Sequence, residues 1–219
     1  MRVYYLTGAQ YGISNIALSR LKVSRFSELN DPFELLGVNL ADKEKRGAFR
    51  RTKEELDRKK GMLCFSRNWK NPVLWGHYAE KHTGIALGFD IPDTYLLSVI
   101  YAKKLLDADL HIESDRPGKV LVDRLIRTKF YDWKYENEVR LFVDLDHDTA
   151  EGGKYFCDFS DDNLRLREAI LGPKCDLPIA GVRDLLAKQG SDAVVIKARI
   201  AFTRFEVLEN HVATAADEA

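Results

Sequence analysis

The chain has 219 residues, 45% of them hydrophobic and 31% charged, an ordinary composition for a soluble globular protein of one large or two small domains. Lys plus Arg and Asp plus Glu both number 34, so the formal net charge is zero, which counts against a protein whose main task is gripping duplex nucleic acid. Cys64, Cys157 and Cys175 are odd in number and widely spaced, which argues against a disulfide framework or a zinc knuckle and fits a reducing cytoplasm. No apolar run reaches the ~20 residues of a membrane span, and the opening residues are interrupted too soon for a signal peptide.

Val3–Leu6 reads as a first strand, Gln10–Leu18 as a helix, and Arg20–Ser24 alternates like a strand. Asn30-Asp31-Pro32 marks a turn or a helix start, with Asn30 or Asp31 as its cap. Asp42–Lys60 is a densely charged, exposed helix with Glu55/Lys59 and Lys53/Asp57 at pairing distance, and its excess of Lys and Arg suits either phosphates or bulk solvent. Met62–Phe65 is a buried strand, and Asn71-Pro72 opens a helix that Gly84 closes before a strand at Ile85–Phe89. Tyr95–Ala102 has one apolar helical face and equally suits a helix running into a strand, while Leu110–Gly118 is a loop. Lys119–Lys129 has the pattern of an amphipathic helix, and Glu138–Val143 of a strand. Lys154–Phe159 and Ala169–Gly172 are strands, Pro178–Lys188 is a helix ended by Gly190, and Ala193–Ala198 and Phe202–Leu208 are the last strands. The expected architecture is α+β: one domain over residues 1–211, a mostly antiparallel sheet with flanking helices, and a frayed tail at 212–219.

Two segments concentrate chemistry. Between Cys64 and His82 stand Ser66, Trp69, Trp75, His77 and Tyr78, more polar and aromatic groups than a structural unit needs. In the second, Lys129–Val143, an extended strand places Glu136, Glu138 and Arg140 on one face, where Arg140 holds the Glu138 carboxylate ionised. The expected site is an aromatic-lined hollow walled by Ser66, Trp75, His77 and Tyr78 and faced by this acid pair, with Arg25, Asn30 and Asp31 at its rim. A surface ladder of alternating charges is the competing reading of the same strand. His77 serves there as a general base or as a stacking neighbour. His77 and His82 are five apart, off a common helical face, and no H-E-x-x-H, phosphate-loop or dinucleotide fingerprint occurs, so no metal is expected.

Three boxes stand in a familiar order: S-R-x-S-x-x-N-D-P-F-E at Ser24–Glu34, L-C-F-S…N-P-x-x-W-x-H-Y-A…H-x-G-I-x-L-G-F at Leu63–Phe89, and K-x-x-x-W-x-Y-E-x-E-x-R at Lys129–Arg140. They resemble the bacterial domain-of-unknown-function family 2971, over nearly the whole chain. That resemblance implies a genetic setting near mobile-element or phage-defence genes. The element order is also similar to that of ADP-ribosyltransferase-like domains. This second resemblance implies NAD as co-substrate, with Tyr5 or Thr7 gripping it from the first strand, Ser66 on the central strand, and Glu138 as the catalytic carboxylate. Glu136 is then its helper and Arg140 its orienter. The first box departs from that pattern, since neither Arg nor His stands there. The implied partner is a small-molecule nucleotide, with nucleic acid in second place and no membrane. Two non-catalytic readings remain: a nucleotide or nucleic-acid sensor using Arg25, Trp69, Trp75 and the helix near Arg50-Arg51, and a protein–protein adaptor using the aromatics near Trp133.

Overall fold

The computed structural model describes residues 1–41, 43–106 and 117–212. In chain order the strands are β1 (Arg2–Thr7), β2 (Arg20–Val23), β3 (Lys60–Ser66), β4 (Ile85–Asp90), β5 (Leu96–Ser98), β6 (Ile100–Ala102), β7 (Thr128–Phe130), β8 (Glu138–Asp144), β9 (Tyr155–Asp158), β10 (Arg165–Leu171), β11 (Val194–Ile200) and β12 (Val207–Glu209). The α-helices are α1 (Ala9–Ala17), α2 (Lys43–Lys59), α3 (Pro72–Tyr78), α4 (Pro117–Leu125) and α5 (Ile179–Lys188).

Eight strands form one sheet in the order β12-β11-β10-β4-β1-β3-β8-β5. Every pairing in it is antiparallel except β10 with β11, which α5 connects as a crossover. β4 lies near the centre and is apolar from Ile85 to Phe89 because both of its faces are covered; its last residue, Asp90, pairs with Arg2. Its odd residues Ile85, Leu87 and Phe89 pack with Ile16 of α1 and Val182 and Leu186 of α5. Its Ala86, pointing the other way, packs with Trp75 of α3, Ile170 and Val207. A third cluster, Phe26, Leu35, Val38, Met62 and Leu125, fills the space at the β3 end. The expected α+β class, antiparallel core and single compact domain are all present.

Asn71 caps α3 as its sequence context predicts, its Oδ1 accepting from the Val73 amide at 3.0 Å with Pro72 in the first turn. The end of that helix differs from expectation. α3 stops at Tyr78, and the chain then turns through Glu80, Lys81 and His82, all with positive φ. Gly84 is needed for close approach: a Cβ there would lie 2.2 Å from the Thr7 carbonyl oxygen. The helix expected to run to Lys129 ends at Leu125, and Thr128–Phe130 instead pairs in parallel with Ile100–Ala102. Tyr95–Ala102 holds two short strands and no α-helix. The strand expected from Phe202 begins only at Val207, leaving Phe202 and Phe205 almost fully exposed. The loop expected at Leu110–Gly118 falls outside the described residues except for Pro117 and Gly118, which begin α4, and so does the tail beyond Val212.

Candidate functional site

β1 and β3 are neighbours in the sheet but barely touch. β1 pairs with β4 along all of Arg2–Thr7, and β3 pairs with β8 along all of Lys60–Ser66, yet the β1–β3 register contains Tyr4↔Ser66 alone. The next bridge on that edge of β3 is Ser24↔Met62, where the two main chains exchange hydrogen bonds of 3.0 and 2.8 Å. Met62 therefore turns its main-chain N–H and C=O away from β8, and by strand alternation Cys64 does the same, with no residue in register opposite. A cleft of about 240 Å³ fills this parting, with Tyr5 and Leu6 on one side, Met62 to Ser66 on the other, and Asn30, Tyr78 and Glu136 across it.

On the face of β3 and β8 that looks toward this cleft, Ser66 stands opposite Glu138 and Cys64 opposite Arg140. This is the face that carries apolar side chains at either end of the sheet, and here it turns polar. Glu138 is the first residue of β8, but Glu136 is not in the strand. It ends a 3-10 turn over Tyr131–Glu136, and Asn137 between them adopts the left-handed conformation (φ 47°, ψ 50°). That kink swings the two carboxylates together onto one ammonium. Lys129 Nζ donates to Glu136 Oε2 at 2.5 Å and to Glu138 Oε2 at 2.9 Å. Arg140 Nε donates to Glu138 Oε1 at 2.7 Å, and its Nη1 and Nη2 grip both oxygens of Glu34 at 2.9 and 2.5 Å. The Tyr78 hydroxyl donates to Glu136 Oε1 and accepts from Asn30 Nδ2 at 2.6 Å. Asn71 serves this assembly as well as its helix, since its Nδ2 donates to the Tyr135 carbonyl at 3.1 Å and anchors the turn that carries Glu136.

The charged members of this network, Glu34, Lys129, Glu136, Glu138 and Arg140, are at most 5% exposed, so each ionisation state is set by its neighbours. Burial pushes the Glu138 carboxyl up, but Arg140 and Lys129 outweigh it and hold the group at about 2, ionised at any ordinary pH. Burial also pushes Glu136 up; Lys129 pulls it back, Glu138 pushes it up again, and the carboxyl settles at about 7. Glu34 is raised by burial against the pull of Arg140. Lys129 is drawn down by burial, yet Glu138 and Glu136 keep it above its usual value and therefore cationic. Burial and Glu136 together raise the Tyr78 hydroxyl far out of the neutral range, so it acts as a hydrogen-bond donor. Two adjacent carboxyls are thus driven apart, one fixed as an anion and one poised to exchange a proton near neutrality.

The expected site residues fall into three groups. Glu136, Glu138, Arg140, Tyr78 and Asn30 meet in the network, and Ser66 and Tyr5 line the cleft beside it. The Ser66 hydroxyl is already engaged, donating to the Asn68 carbonyl at 2.9 Å. Arg25 and His77 lie at the edge: Arg25 beside Glu28, 3.8 Å between charged atoms, and His77 exposed, with Nδ1 2.7 Å from the Tyr135 hydroxyl. Trp75, Thr7 and Asp31 are elsewhere. Trp75 is fully buried with its indole N–H on the Trp69 carbonyl at 2.6 Å, so it is a core residue and no wall of the hollow; Trp69 is buried with it. Thr7 stands in register with Ile85 on the β4 side of β1. Asp31 is 2% exposed and its carboxylate accepts from the Phe33 amide at 2.9 Å, so it caps a turn.

Two members of the network escaped sequence reasoning. Lys129 ends the expected amphipathic helix and opens the third box, and Glu34 ends the first box, with no role at the site read for either. The available signal was composition: a lysine seven residues before an E-x-E-x-R run, whose two acids and one base need a second cation if buried. Among the described residues no group of His, Cys, Asp and Glu has an arrangement that would hold a metal ion. No protein-family model, curated protein or solved structure matched the chain.

Proposed function

We propose that the cleft binds a nucleotide and that the protein transfers the ADP-ribosyl group of NAD to an acceptor, with Glu136 taking the acceptor's proton. The observation that carries this reading is the buried carboxyl of Glu136 at the cleft floor, hydrogen-bonded by Tyr78 and Lys129 beside a second carboxylate locked by Arg140. A proton acceptor works best when it titrates near the working pH, and Glu136 does. In the reaction, the bond between the ribose carbon and the nicotinamide nitrogen breaks, and its electron pair leaves with nicotinamide. The acceptor's heteroatom bonds to that carbon and its proton passes to Glu136. The permanently ionised Glu138 lies next to the positive charge that develops on the sugar. At about 240 Å³ the cleft takes one end of the dinucleotide, with the phosphates toward the mouth near Lys22.

The roles differ from those the sequence resemblance implies. Glu138 is held by two cations, Arg140 and Lys129, whereas Glu136 has Lys129 and a neutral tyrosine, so the exchangeable proton belongs to Glu136. The element order's resemblance to ADP-ribosyltransferase-like domains supports the reading, as does the parted sheet. A bacterial, phage-defence or toxin-like setting rests on the resemblance alone, and a cytoplasmic one on the cysteine usage. Incubating the purified protein with labelled NAD and bacterial lysate tests the reaction. Label moves into macromolecules with release of free nicotinamide, and Glu136→Gln lowers the rate by roughly 10²- to 10⁴-fold. No transfer and no nicotinamide release by the wild-type protein removes the enzyme reading.

A nucleic-acid sensing role has one observation in its favour, an open groove along α2 bordered by Lys43, Arg46, Arg50 and Arg51. The tryptophans invoked for stacking lie in the core, so this role reduces to phosphate contact and predicts binding that weakens steeply as salt rises.

A further inference from the structure

The buried network is unbalanced in charge. Its carboxyls are Glu34, Glu136 and Glu138, and its cations are Lys129 and Arg140 alone. The other groups facing Glu136 are neutral: Tyr78 from α3, Asn30 from the segment after β2, and Cys64 and Tyr101 around Glu138. At the rim Lys22 and Glu28 neutralise each other at 2.8 Å. Asp31, on the same segment as Asn30, adds a further carboxylate, turned onto the main-chain amides of Phe33 and Phe130. His77 meets the Tyr135 hydroxyl and does not touch Glu136. With Glu34, Glu136 and Glu138 ionised, the network around Lys129 and Arg140 therefore holds one uncompensated negative charge in a water-poor site, not counting Asp31, whose carboxylate is satisfied by main-chain amides. A proton on Glu136 removes it; so does a cation brought by a ligand. Tyr78, whose hydroxyl meets Glu136, lines the same space, and aromatic faces attract organic cations.

We infer that the cleft selects ligands carrying an organic cation, which binds at Glu136 in exchange for that residue's proton. This rests on the cleft being a ligand site and holds whether or not NAD is the ligand. One proton leaves the protein for each cation bound at acidic pH, and the association constant rises tenfold per pH unit until Glu136 is ionised in the free protein. That ceiling lies at about 7. An anionic group placed at Glu136 itself meets the opposite preference.

Three probes separate the possibilities in calorimetry between pH 5.5 and 8.5: the fixed aromatic cation 1-methylnicotinamide, its neutral counterpart nicotinamide, and benzyltrimethylammonium, a cation unrelated to NAD. Both cations bind, gain affinity up to about pH 7 and then level off, while nicotinamide binds at least tenfold more weakly at pH 8 and without pH dependence. Titrations at pH 6 in two buffers of different ionisation enthalpy show close to one proton released per cation, falling toward none at pH 8.5. Glu136→Gln, which keeps the shape, abolishes both the preference and the proton release. Equal affinity for nicotinamide and the cations at pH 8, or no proton release at pH 6, overturns the inference, and the second measurement needs only the wild-type chain. Binding of benzyltrimethylammonium with no turnover of NAD upholds cation selection and sinks the transferase reading. Turnover of NAD with no proton release at pH 6 does the reverse.

Discussion

Glu136 and Glu138 are the same residue type two positions apart, and they titrate on opposite sides of the ordinary carboxylate range because they share one lysine unequally. Glu138 has Arg140 as well as Lys129, whereas Glu136 has Lys129 and a neutral tyrosine. The consequence for stability has opposite signs. The Glu136 carboxyl is raised to about 7 in the folded protein, so the native state binds its proton more tightly than the unfolded chain does. Folding stability therefore falls as pH rises from about 4.3, the unfolded value, to about 7, by on the order of 3 kcal/mol. Urea denaturation at pH 5 and pH 8 measures this, and Glu136→Gln abolishes the fall across that window. An unchanged fall in that variant contradicts the assignment. Glu138 behaves the other way: its contribution is present above about pH 4.3 and is lost as pH drops toward about 2.

The short turn of residues 131–136 and the strand after it work as a unit because of Asn137. A non-glycine residue in the left-handed region costs of order 1–2 kcal/mol unless it is Asn or Asp, whose short polar chains tolerate it. With that reversal Glu136 leaves the line of the strand and meets Lys129 and Tyr78 from the end of the turn. Asn137→Gly is expected to be nearly neutral in denaturation midpoint, whereas Asn137→Ala costs about 1 kcal/mol and moves the titration of Glu136 seen by carboxyl NMR. Equal behaviour of the two variants would show that the backbone conformation is not what joins the carboxylates.

The sheet as a whole is tightest where β4, β10 and the turn after α3 converge, and loosest at the β1–β3 parting one strand away. At the tight end, Gly84→Ala forces a Cβ to 2.2 Å from the Thr7 carbonyl and is expected to cost about 1–3 kcal/mol, lowering the melting temperature. Gly76→Ala is the matched control. Gly76 lies inside α3 with nothing within 4 Å of an added Cβ, so alanine should stabilise by about 0.5–1 kcal/mol. If both substitutions lower the melting temperature alike, close approach is not the reason for Gly84. Among the described residues no helix is long and apolar enough to cross a membrane.

Local chemistry was enough to read most of the elements: the Asn71 cap, the alternation of β1, β2 and β8, the apolar run of β4, and the pairing of Glu138 with Arg140 two residues on all follow from near neighbours in the chain. Where the reading failed, long-range contacts had overruled periodicity. Thr128–Phe130 satisfies a helical pattern, but pairing with Ile100–Ala102 draws it into a strand and turns Lys129 inward. Trp75 has the composition of a binding wall, yet a sheet face with small residues such as Ala86 and Ala198 offers it a place to be fully buried. The union of Glu34, Lys129, Glu136 and Arg140 spans 106 positions and has no local signature. It exists because two strands, one turn and one loop enclose the same volume, and charges removed from water must find partners wherever the fold brings them.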